Sequence, residues 1–68
     1  MIIVNEVNKV DESNNTMQVS LFADTKSEIQ PNMNIEQIEG YTLAFGSSVM
    51  TASGELAFLK SDGTWNWV

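Results

Sequence analysis

Residues 16 to 23 alternate almost without a break. Met17, Val19, Leu21 and Ala23 fall on one side of an extended chain, Gln18 and Ser20 fall on the other, and Phe22 is the exception. A period of two is the signature of a β-strand with one buried face. Upstream, Ile2, Ile3, Val4, Val7 and Val10 crowd the first ten residues. The spacing Ile3, Val7, Val10 would also suit a helix, but Val and Ile fit a pleated surface better than a helical one. Between the two runs stands Asp11-Glu12-Ser13-Asn14-Asn15, a polar stretch in which Asn tolerates left-handed geometry. The pattern predicts a β-hairpin over residues 1–23.

From 24 to 46 no single period holds. Thr25 and Glu28 have the spacing of a capping box, which predicts one helical turn. Pro31 pushes Gln30 toward an extended conformation and blocks a long helix. Met33, Ile35 and Ile38 are apolar positions for a short strand or for a loop tucked onto the core. This stretch is expected to be an irregular connector.

The pattern sharpens again over 47–68. An extended run at Ser47 to Thr51 is followed by a two-residue turn at Ser53-Gly54, and Leu56-Ala57-Phe58-Leu59 by a turn at Ser61-Asp62-Gly63. Asp-Gly is a strong hairpin signal. The last run, Thr64 to Val68, carries both tryptophans, Trp65 and Trp67, on one side of Asn66. These signals predict a three-stranded antiparallel meander. The fold class is therefore mainly β, in a single domain: hairpin 1–23, connector 24–46, meander 47–68. Leu56 and Phe58 are expected to pack against Trp65 and Trp67 as a core or interface anchor, and Met17, Met33 and Met50 to fill gaps in the core.

Composition changes the picture in two ways. At 68 residues, a single core buries only about 60% of the unfolded surface. No cysteine and no histidine is available to supply a disulfide, a thiolate metal site or the commonest general base. Partner subunits thus become the expected source of added stability. The net charge is -6, with Lys9, Lys26 and Lys60 as the basic residues. That balance disfavours phosphate backbones and anionic membranes, so neither nucleic acid nor membrane is an expected partner. No apolar run reaches the ~20 residues of a membrane span, and the opening Met-Ile-Ile-Val lacks the length and basic flank of a secretory signal. The expected location is the cytoplasm in which the chain is made, or a particle packaged from it.

Candidate chemistry is sparse. Asp11, Ser13 and Asn15 alternate as in a calcium loop, but Thr16 and Phe22 stand where an EF-hand needs Gly and Glu. Glu36 and Glu39 are near each other in sequence, with no sign of the cleft that paired catalytic carboxylates require. The glycines are scattered, so there is no phosphate loop. The chain is expected not to be an enzyme and to use no cofactor.

The segment Gly54 to Val68 resembles the C-terminal trimerisation hairpin of phage fibritin, the foldon. Gly54, the strand Ala57-Phe58-Leu59, the turn Asp62-Gly63 and Trp65 follow in the same order. Gly54 to Asp62 is one residue longer than in that family, and its proline-rich approach is absent. More broadly, the layout resembles small acidic phage and prophage proteins. It comprises an N-terminal hairpin, then Phe22-Ala23-Asp24-Thr25-Lys26, then a Gly-Ser strand and a terminal Asp-Gly-Thr-Trp. The resemblance implies a phage structural or assembly subunit, made in the bacterial host cytoplasm with the virion as a destination. It also implies a homo-oligomer, a trimer favoured, or docking onto a larger phage structural protein. Two alternatives belong to other classes. One is an acidic inhibitor or decoy that mimics nucleic acid. The other is a carbohydrate- or peptide-binding module built on Trp65 and Trp67.

Overall fold

The computed structural model describes residues 1–30, 33 and 35–68; Pro31 lies outside them. The β-branched first run and the alternating second run pair as expected, with β1 (Ile2–Asp11) antiparallel to β2 (Thr16–Ala23). Asn15 closes their turn with a φ of 53°. The Asp11 carboxylate accepts bonds from the Ser13 hydroxyl at 2.7 Å and the Asn14 side-chain amide at 2.8 Å. The polar stretch therefore satisfies its own groups.

The last third forms the expected meander of β4 (Ser48–Thr51), β5 (Leu56–Leu59) and β6 (Trp65–Trp67), after a two-residue β3 (Thr42–Leu43). Its two turns are alike, and both are longer than a two-residue loop. The Thr51 N–H donates to the Glu55 carbonyl and the Lys60 N–H to the Thr64 carbonyl. Each turn thus spans three residues and ends on a glycine with positive φ, +91° at Gly54 and +86° at Gly63. A third turn residue in the left-handed region is the geometry that ends a three-residue hairpin loop.

The two hairpins share one sheet. β2 pairs β4 in parallel, Leu21 opposite Val49, so the order is β1-β2-β4-β5-β6. Parallel neighbours cannot be joined by a tight turn and need a long crossover. The connector is that crossover. It contains two single 3-10 turns, Lys26–Glu28 and Glu36–Ile38, and it lays Ile29, Ile35 and Ile38 on one sheet face. There they close a core with Val19, Leu21, Ala23, Val49 and Ala57, and Met33 packs against its margin. The expected helical turn forms: the Thr25 N–H donates to the Glu28 carboxylate at 3.0 Å.

The second edge of β2 is divided between β3, at Thr16 and Met17, and β4, from Ser20 to Ala23. Side chains fill the break. The Gln18 amide donates to the Phe45 carbonyl at 3.1 Å. The buried Ser47 hydroxyl accepts the Val19 N–H at 3.2 Å and donates to the Ala44 carbonyl at 2.8 Å. A buried backbone donor left open would be costly, and Ser47 removes that cost.

Candidate functional site

Strand parity assigns every side chain of the sheet to one of two faces. On β6, Trp65 and Trp67 share a face, with Asn66 opposed. Their neighbours on that face are Leu59 and Ala57, because β5 pairs Leu59 with Trp65 and Ala57 with Trp67. The expected cluster of Leu56, Phe58, Trp65 and Trp67 is therefore corrected: Phe58 pairs with Asn66 on the opposite face, and Leu56 shares that parity. The even spacing of the two pairs was legible. The register between the strands was not, since one residue more in the Ser61-Asp62-Gly63 turn moves every partner to the other face.

The tryptophans face the connector. The Trp65 indole N–H donates to the Gln30 carbonyl at 3.3 Å, and the Lys26 ammonium stands 4.8 Å from the centroid of the Trp67 ring. Both rings are half-buried. Ser53 and Gly54, like Asp62 and Gly63, lie in the two turns. The Asp62 carboxylate accepts from the Thr64 hydroxyl at 2.6 Å and its amide at 3.0 Å, which holds its pKa below the ordinary carboxylate value.

Among the described residues, the opposite face has no such cover. Ile3 pairs with Phe22, Phe22 with Met50, and Met50 with Leu56. This produces an apolar row crossing four strands, at right angles to them. The next row carries Phe58 beside Ser48 and Ser20. Met50 is 51% exposed, Phe58 43% and Ile3 37%. Met50 thus departs from the expected role of gap-filler. Sequence reasoning saw Phe22 as a break in the alternation, and that break was the signal for an apolar second face.

The row contains no ionisable side chain. Glu6, opposite Ser20, and Lys9, opposite Gln18, are the charges along the rows beside it, and Asp11 ends the strand at the hairpin turn. The other acids lie elsewhere. Glu12, Glu55 and Asp62 sit at turns, while Asp24, Glu28, Glu36 and Glu39 belong to the connector segment. A shallow open groove at the far end of the uncovered face is lined by Lys9, Asp11, Thr16, Gln18 and the exposed Phe45. Among the described residues, no group of three or more His, Cys, Asp or Glu is placed to hold a metal ion. Among the same residues, no helix is long and apolar enough to cross a membrane.

Comparison of the chain with protein-family models, curated proteins and solved structures finds no match.

Proposed function

We propose that this protein is a non-enzymatic docking subunit, working by homo-oligomerisation or by seating on a larger structural protein. The observation that carries the proposal is the uncovered row Ile3, Phe22, Met50 and Leu56, with Phe58 beside it. Large apolar side chains that meet in one contiguous patch mark interaction surfaces, whereas scattered ones do not. The phage assembly setting is part of the proposal and rests on the resemblance of Gly54 to Val68 to the fibritin hairpin; the trimer that the resemblance implies is not carried with it. The docking surface, however, is the face opposite the tryptophans. Trp65 and Trp67 are engaged with Gln30 and Lys26 of the same chain, so a sugar platform draws no support from them. The decoy alternative needs carboxylates ranked along one face, and these are dispersed among turns and connector.

Methionine footprinting tests the proposal. Peroxide treatment of the cells that make the chain is compared with treatment of dilute purified protein. Docking protects Met50 in the cell relative to Met1, which is 75% exposed in the free chain. If Met50 oxidises equally fast in both settings, the docking proposal is overturned.

A further inference from the structure

We infer that the occupant of the uncovered face is a second copy of the same chain, packed sheet on sheet about a two-fold axis. The inference rests on the docking proposal and names its partner. Two molecules of charge -6 repel in most orientations. The arrangement that turns both connectors outward is the exception. It turns away the segment that carries Asp24, Glu28, Glu36 and Glu39, because Ile29, Ile35 and Ile38 hold that segment on the other sheet face; Glu28 and Glu36 come nearest to the contact at its Ile3 end. What meets at the centre is the uncharged row of Ile3, Phe22, Met50 and Leu56. Along β1, Glu6 and Lys9 offer one charge of each sign to a two-fold mate.

The dimensions agree with pairing. The longer extents of the molecule are 35 and 23 Å, so its broadest side sets an upper bound on the contact that is on the order of the ~800 Å² per partner a stable interface buries. Facing sheets stack about 10 Å apart, the distance that interdigitated Phe and Met side chains fill. One self-complementary patch closes as a pair. A trimer ring needs two different patches on each chain, and the opposite sheet face is already taken by the connector.

The test is absolute mass by light scattering after size exclusion, on the full chain over a wide dilution series. The expected result is twice the chain mass of 7.5 kDa, falling to one chain mass on dilution. Added salt should strengthen the pair by screening the like charges. Met50→Glu should raise the dissociation constant about a hundredfold or more by placing an uncompensated charge in the contact. Its far-ultraviolet circular dichroism should match the parent. If Met50→Glu does not fold, Phe58→Ser on the neighbouring row serves in its place. A single-chain mass at every concentration, a three-chain mass, or a pair that persists in both variants overturns the inference. A purified monomer whose Met50 is nevertheless protected in cells overturns pairing alone. A monomer without that protection overturns the docking proposal as well.

Discussion

The Lys26 ammonium lies 4.8 Å from the centre of the Trp67 ring, so the crossover connector holds the last strand by a contact that spans most of the chain. With the Trp65–Gln30 bond, it explains why both tryptophans sit near the C-terminus. They stitch β6 to the segment that roofs the core.

Removing the Trp67 ring should lower unfolding free energy by about 2–3 kcal/mol, below the ~3–5 kcal/mol of fully buried aromatics because the ring is only partly buried. Lys26→Ala should cost about 0.5–1 kcal/mol, the range of exposed cation–π pairs. Urea denaturation of both single variants and the double variant checks this. Strict additivity would show that the contact contributes nothing.

Ser47→Ala should be costlier than its size suggests. It leaves the Val19 N–H without a partner inside the break between β3 and β4, a loss of about 1–3 kcal/mol. Hydrogen exchange at the Val19 amide should accelerate beyond the change in global stability. An unchanged rate there would contradict the plug.

The Gly54 turn offers a clean comparison. No atom lies within 4 Å of where a Cβ would stand, so the strain comes from the φ of +91° alone. Gly54→Ala should destabilise by about 1–2 kcal/mol and Gly54→Asn by less, because Asn visits the left-handed region more readily. Equal melting temperatures for the two variants would argue against that cause.

Acid should lower the melting temperature through identifiable carboxylates. The Met1 ammonium, and then the Thr25 N–H, hold Glu28 below its ordinary 4.5. The Asn14 and Ser13 side chains hold Asp11 below 3.8, and Thr64 does the same for Asp62. A depressed folded pKa means that the unfolded chain binds the proton more readily. The stabilisation is therefore complete above these ordinary values and is lost as pH falls through the folded ones. The Met1 amine is raised above 8.0, first by Asp24 and then by Glu28, and its contribution is lost as pH rises through its folded pKa. Melting temperatures should fall on both sides, and Glu28→Gln should flatten part of each limb. A flat profile from about pH 5 to about pH 2 would refute the assignment.

How much was legible follows from the range of the interactions involved. Alternation at Met17 to Ala23 and the Asp62-Gly63 turn are written in adjacent residues, so both hairpins, the capping turn at Thr25 and the mainly β class could be read directly. The partners of Trp65 and Trp67 could not. They depend on the length of the turn between β5 and β6, where one residue more or fewer reverses the face.

The parallel pairing of Leu21 with Val49 likewise has no local mark, because nothing in either strand says which edge it will meet. Local steric preferences and period thus determined the strands and turns from the sequence alone. Register and crossover decided which apolar residues became core and which were left on the open face, since burying Ile29, Ile35 and Ile38 against one side of the sheet requires leaving the other uncovered.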